Sequence, residues 1–582
     1  AATATTLVAF LPLVFWPGTV GEFMKYLPIT LLAVLTASLA MALLFVPTLG
    51  AVIGKASHST GPSLAPGETG ADELKRLSGV TGRYVCILSA ALKHPGKVLI
   101  AAVMLLVAAQ YAYAVFGKGI EFFPEVEPNN TSLQIRAQGN YSIDFMRRPA
   151  DEIIGEIRER SANLTGILIE ARKEEAGPPV GKPIQIEVGS SNPALIASVA
   201  DSIGGKLKQT DGLIDIEDGA AIPGIEWNLT IDRAQAAKFD ADISLIGSYV
   251  RMVTNGLKLD GYRPDDTEEE IDIVVRLTRD ERTIAFLDQL RIQTNQGPVP
   301  ISNFMTRSAQ PKVNMLHRVD GRRTVTLKAD VAPGLLVNDK VTELREWMTG
   351  QTFDPRVSVE FKGEDEEQQE AQAFLVKAFG VALFLMAIIL VTQFNSFYSA
   401  FLILTAVVMS TIGVMLGLLA IGEPFGIIMS GIGVIALAGI VVNNNIVLID
   451  TYDRLKLESE NHMEAILLTG AQRLRPVLLT SVTTILGLMP MVLRTNIDFI
   501  ARDVQVGAPS TQWWTQLATA VAFGLAFATV LTLIVTPSAL MLRANLQDWR
   551  ARRRALKEAR KAARNAGDEQ PEEADDLPAA AQ

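Results

Sequence analysis

Three consecutive asparagines, Asn443, Asn444 and Asn445, sit inside a long apolar stretch, Gly431–Asp450. An amide at membrane depth must find a hydrogen-bond partner, so such residues face a bundle interior, and many of them mark a pathway. Successive helical residues lie about 100° apart, so the run presents amides over a broad arc. Two uses fit equally: a hydrogen-bonded contact between helices, or the polar lining of a route for protons or water. A second group follows in Arg473–Pro490, where Arg473 and Arg475 precede Thr480, Ser481, Thr483 and Thr484. Hydroxyls in a helix commonly bond back to the carbonyl four residues earlier. That is the expected use of most of them, and a minority could hold water.

Other chemistry is excluded by composition. Four histidines (His58, His94, His317, His462) lie far apart, and Cys86 is the one cysteine, so neither a disulfide nor a His/Cys metal cluster is expected, which leaves oxygen-ligand sites open. Glu268–Glu270 and Glu364–Glu367 read as solvated acidic faces. No nucleophile–base pair, phosphate loop or cofactor motif is present, so the chain reads as a non-enzyme without a cofactor. A net charge of −10 argues against nucleic acid as a partner.

The elements that must position these residues are membrane spans. Of 582 residues, 49% are hydrophobic, mean hydropathy is +0.25, and a span needs about 20 apolar residues. Eight stretches qualify or nearly do: Ala2–Trp16, Leu27–Ile53, Val98–Phe116, Phe374–Gln393, Ala400–Ile421, Phe425–Ile449, Val477–Leu493 and Thr515–Leu540. Pro476 suits a helix start. The fold class is therefore an α-helical polytopic membrane protein with a large α+β insert. The expected division is two spans in 1–54, a connecting segment at 55–97, a span at 98–116, the insert at 117–373, five spans in 374–542 and a tail at 543–582 with a disordered end. Within the insert, strand patterns at Ile184–Val188, Trp227–Ile231, Ile271–Leu277 and Arg323–Lys328 alternate with helical patterns at Pro193–Thr210 and Val337–Met348. Further patterns fall at 132–137 (strand) and 150–160 (helix). Lys and Arg cluster in 55–97, around Arg454–Arg475 and after Arg543, which places those segments in the cytoplasm and the insert on the other face. The chain begins apolar, without an initiator Met, and is expected to start inside a helix. Phe122, Phe123, Trp227 and Phe304 could line a pocket, with core packing the commoner use.

The stretch GIVVNNNIVLID, followed by GAQRLRPVLLTSVTTILGLMPMV, resembles the tenth and eleventh spans of resistance–nodulation–division efflux permeases, the AcrB/AcrD/AcrF-type family. FLPLVFWPGTVGEFMKYLPITLLAVLTASLAMALLFVPTL resembles spans five and six. FFPEVEPNNTSLQIRAQGN resembles the start of the second porter insert, WNLTIDRAQAAKFDADISLIGSYVRMVTNG the docking segment, and VTPSALML the end of span twelve. The resemblance covers nearly the whole chain. It implies a homotrimer in the bacterial inner membrane, a periplasmic porter and docking domain built from βαβ-type units, and proton-driven export of drugs or other toxic compounds. It also implies a periplasmic adaptor and an outer-membrane channel as partners. Heavy-metal or lipid export, or a protein-export accessory role, is the alternative. The sequence does not identify the substrate or its binding residues. Asn443, Asn444, Asn445, Thr480 and Arg473 fall where the family's proton relay and membrane polar core lie. Against that pattern, spans one to four, with their acidic pair, have no counterpart. Asn443 stands where many drug exporters have a lysine, so coupling must differ in detail. A segment is expected to be missing near Phe145–Arg147. Without the acidic pair, the 582-residue chain is expected not to couple protons by itself.

Overall fold

The computed structural model describes residues 2–53, 79–124, 126, 181–219, 225–263, 270–278, 281–295, 297–311, 316–459, 461–498 and 502–567. The patterns at 132–137 and 150–160, the suspected gap near Phe145–Arg147 and the end of the tail lie outside them. The first helix, α1 (Ala2–Phe10), passes into a 3-10 turn at Leu11–Phe15. Next, α2 runs over Gly18–Ile53 with a π turn at Met41–Phe45. A helix follows where only a connecting segment was expected: α3 (Gly79–Lys93), which buries Leu88 and Leu92. Pro95 ends it, because the residue before a proline is driven out of the α region, and His94 is non-helical. Pro95 then opens α4 (Pro95–Phe116), followed by β1 (Ile120–Glu121).

The insert builds β2 (Ile184–Ser190), α5 (Pro193–Gln209) and β3 (Leu213–Glu217). The middle of the insert builds β4 (Ile225–Ile231), α6 (Arg233–Lys238), α7 (Ile243–Val253), β5 (Leu257–Tyr262), β6 (Ile271–Val275), α8 (Ile284–Gln289), β7 (Arg291–Thr294), β8 (Gly297–Pro300) and β9 (Met305–Pro311). The chain then returns through β10 (His317–Val319), β11 (Arg322–Val331), α9 (Val337–Thr349) and β12 (Val357–Gly363). Strand β2 lies between β11 and β12, antiparallel to both, and β11 also pairs antiparallel with β3. Thus β2–α5–β3 and β11–α9–β12 are two interleaved split βαβ units. Alternate residues Ile184, Ile186 and Val188 point to one face and are buried with Ile203 and Leu207 of α5 and Leu344 of α9. The stretch from β4 to β9 has its own core around Ile246, Ile292, Ile301 and Phe304.

The remaining helices are α10 (Glu364–Phe394), α11 (Phe397–Ile421), α12 (Ile427–Glu458), α13 (His462–Val492) and α14 (Thr515–Gly567). A strand, β13 (Phe425–Gly426), pairs parallel with β1 just before α12. Seven of the eight expected spans lie on helices long and apolar enough to cross a membrane, and Ala2–Phe15 is a shorter apolar helix. One expected boundary is wrong. Pro476 does not start a helix but lies inside α13, which begins at His462. Residues Ala465–Ala471 are buried against the bundle core, and that burial outweighs the proline's cost to the helix. Close crossings are made by glycine. A Cβ on Gly413 of α11 would collide with the Phe523 carbonyl of α14, and one on Gly524 of α14 with Leu437 of α12.

Candidate functional site

The polar centre of the bundle lies where α12, α13 and α14 meet. Its three asparagines separate as helical geometry requires. Asn445 is completely buried, Asn444 is half-buried and Asn443 is exposed. The Asn445 amide nitrogen donates to the Val441 carbonyl and to Thr532 Oγ1, both at 3.1 Å. Its oxygen accepts from Thr536 Oγ1 at 2.8 Å. Both amide hydrogens and one carbonyl lone pair are thus engaged. Thr532 and Thr536 stand one turn apart on α14, so one side chain of α12 grips a single stripe of α14.

The hydroxyls of α13 divide into two groups. Thr480 bonds back to the carbonyls of Pro476 (3.1 Å) and Val477 (3.0 Å). Thr483 and Thr484 bond back to Leu479 (2.8 Å) and Thr480 (2.9 Å). All three follow the local pattern expected of most of them. Ser481 is the exception. It is buried and lies 2.6 Å from Thr529 Oγ1 of α14. Thr529 already donates to the Leu525 carbonyl (2.7 Å), so Ser481 is the donor. Nearer the Arg/Lys-rich end, Arg473 Nε donates to Thr451 Oγ1 of α12 at 2.6 Å, and Thr451 donates to the Val447 carbonyl at 2.8 Å.

Of the five residues singled out from sequence, the structure ties Asn445 to α14 and Arg473 to α12. It leaves Asn443 and Thr480 on exposed surface, apart from those ties, with Asn444 between. Thr529, Thr532 and Thr536 are the partners sequence reasoning passed over. A signal for them existed: their spacing puts three threonines on one face just before Pro537. The four aromatics do not form one pocket. Phe122 and Phe304 are core residues, Phe123 packs on Trp513 and Phe23, and Trp227 is exposed beneath Arg307. Among the described residues no three His, Cys, Asp or Glu side chains are grouped to hold a metal ion.

The model of the AcrB/AcrD/AcrF family matches residues 1–170 and 165–543. The chain is 24% identical to the nickel and cobalt resistance protein CnrA of Cupriavidus metallidurans, over 91% of this chain and 53% of CnrA. It is 24% identical to the multidrug resistance protein MdtC of Edwardsiella ictaluri, over 94% of this chain and 56% of MdtC. The crystal structure of a heavy metal efflux pump has the same fold, with a TM-score of 0.65 at 22% identity, covering 93% of this chain and 58% of the pump. The chain spans about half the length of the curated relatives CnrA and MdtC.

Proposed function

We propose that this chain, which belongs to the AcrB/AcrD/AcrF family, is part of the permease subunit of a proton-driven resistance–nodulation–division efflux pump whose cargo is a divalent heavy-metal cation. The observation that supports the cargo is that two curated relatives matching 91% of the chain, CnrA and NccA, are nickel–cobalt and nickel–cobalt–cadmium resistance proteins, beside the fold shared with a heavy metal efflux pump. The polar centre supports a role in coupling. Asn445 with Thr532 and Thr536, and Arg473 with Thr451, link α12, α13 and α14, so a change of charge near Arg473 would be felt by all three. Asn443, Asn444 and Thr480 complete the proposed relay from the more exposed side. In this reading the insert lies in the periplasm, the subunit forms a homotrimer in the inner membrane, and an adaptor and an outer-membrane channel finish the export path.

The cargo of MdtC is the second reading, favoured by the lack of a grouped His, Cys, Asp or Glu ligand set among the described residues. Deleting the whole gene and measuring growth on nickel, cobalt, zinc and cadmium beside a drug and bile-salt panel separates the two. Metal sensitivity that appears on deletion and is abolished by returning the gene supports the first reading. Sensitivity to drugs alone supports the second. No change on either panel defeats the efflux assignment.

A further inference from the structure

Pro537 lies inside α14. Its nitrogen carries no hydrogen, so the carbonyl four residues earlier, that of Leu533, has no helical donor. A stranded carbonyl is costly in a bilayer, where water cannot replace the donor. Tyr84 of α3 supplies it: its hydroxyl donates to the Leu533 carbonyl at 2.8 Å. On a neighbouring face of the same stretch, Asn445 holds Thr532 (3.1 Å) and Thr536 (2.8 Å). Past the proline, the Tyr398 hydroxyl of α11 donates to the Ala539 carbonyl at 2.8 Å. Three helices therefore each place one polar group on α14 between residues 532 and 539. Helix α3 is seated for this by Leu88 and Leu92, both buried, and by Gly470 of α13. A Cβ on Gly470 would stand 2.8 Å from the Tyr84 hydroxyl oxygen and 2.9 Å from Leu88.

We propose that Tyr84 is a positioning residue for the export cycle: with Asn445 it holds α14 at the Pro537 interruption, so that a shift of α3 releases the segment past Pro537 and opens the Asn445–Thr532–Thr536 cluster. The transport part of this inference rests on the proposed function. The hydrogen-bond part does not.

Two measurements decide it, both on the full chain. The first is hydrogen exchange of the α14 amides from 534 to 545 on purified protein. Tyr84→Phe should raise exchange there at least about fivefold. Pro537→Ala restores the backbone donor to Leu533, so in a Pro537→Ala background the Tyr84→Phe change should have no further effect. Equal exchange in Tyr84→Phe and the unaltered chain, or an undiminished effect beside Pro537→Ala, overturns the hold on α14. The second is nickel-ion efflux from cells carrying the intact gene. Tyr84→Phe and Gly470→Ala should each lower the maximal rate and leave the half-saturating nickel concentration and the protein level unchanged. An unchanged maximal rate, or a change confined to half-saturation, overturns the positioning role. Failure of the unaltered gene to export nickel would count against the cargo, and the exchange measurement would still decide the contact.

Discussion

Asn445 has both of its amide hydrogens engaged, which makes it the residue whose loss the bundle would feel. Interhelical hydrogen bonds in membranes average only about 0.6 kcal/mol, and the stranded threonines could turn back to their own helix. Asn445→Leu should therefore lower unfolding free energy by about 1–2 kcal/mol, for two bonds lost plus imperfect packing. Asn443→Leu, at an exposed position, should change it by less than about 0.5 kcal/mol. Unfolding in mixed micelles by increasing SDS tests the pair, and equal effects would contradict the division of the three asparagines. The sequence made all three equivalent, because which arc of α12 faces inward depends on where α14 packs, and that is set by Gly524 against Leu437 far along the chain. The back-bonding of Thr480, Thr483 and Thr484 was legible, since it needs only local geometry. Outside the membrane, Glu187 of β2 sits directly opposite Glu360 of β12. Burial raises its carboxyl above the ordinary range, Lys362 opposes that rise and Glu360 adds to it. A carboxyl raised in the folded state weakens the fold where it is charged, and the penalty fades as pH falls below the ordinary carboxylate value. Glu187→Gln should thus slow exchange of β2 amides at pH 7, by about 0.5 kcal/mol, and have little effect near pH 4. A larger gain at low pH would reverse the sign and refute the argument.

Among elements, the strands of the insert were the most legible and the helix ends the least. Ile184, Ile186 and Val188 alternate cleanly, so β2 could be read from the chain, and α5 and α9 ended within a residue of their expected positions. Helix α3 was missed because its half-polar 15 residues form a helix by docking on α13 and α14, a long-range cause invisible in a local window. The start of α13 was missed for the same reason. One junction between elements carries a testable load. Strand β12 turns into α10 at Gly363, whose φ of 73° suits glycine. Just beyond it Asp365 is buried and accepts from Arg345 of α9 at 2.8 Å and from Gln369 at 2.8 Å. Removing Arg345 leaves that carboxylate with an amide alone. Arg345→Ala should cost about 2 kcal/mol, less than a fully buried pair because Arg345 is half exposed. Faster amide exchange at the first turn of α10 would report it, and an unchanged rate would mean the pair is ornamental. Packing gives a second outcome: Gly524→Val should cost about 1–3 kcal/mol by forcing α12 and α14 apart.

At the scale of the whole molecule, the two ends of the bundle differ in chemistry. One end carries Arg543 over the Tyr398 ring at 4.7 Å, Arg454 paired with Asp450 at 2.8 Å, and Arg473. Helix α14 continues past that end through exposed Arg550, Arg552, Arg553 and Arg554. The other end carries aromatics, with Trp16 on Phe374 and a cluster of Phe23, Phe123 and Trp513, followed by the insert. Positive residues favour the cytoplasmic face, and tryptophan suits either interface, so the proposed orientation puts the basic end in the cytoplasm and the insert on the opposite side. Cys86 is exposed on α3, which packs beside the basic half of α13, and it is the only cysteine in the chain. In the proposed orientation it reports the cytoplasmic face. In spheroplasts expressing the chain, a membrane-impermeant maleimide should leave Cys86 unlabelled until the membrane is opened. With Cys86→Ser and Ser198→Cys, which moves the thiol to the exposed face of α5, the same reagent should label at once. Labelling of Cys86 in sealed cells together with protection of position 198 would invert the molecule, and an export route through a periplasmic insert would then be physically impossible.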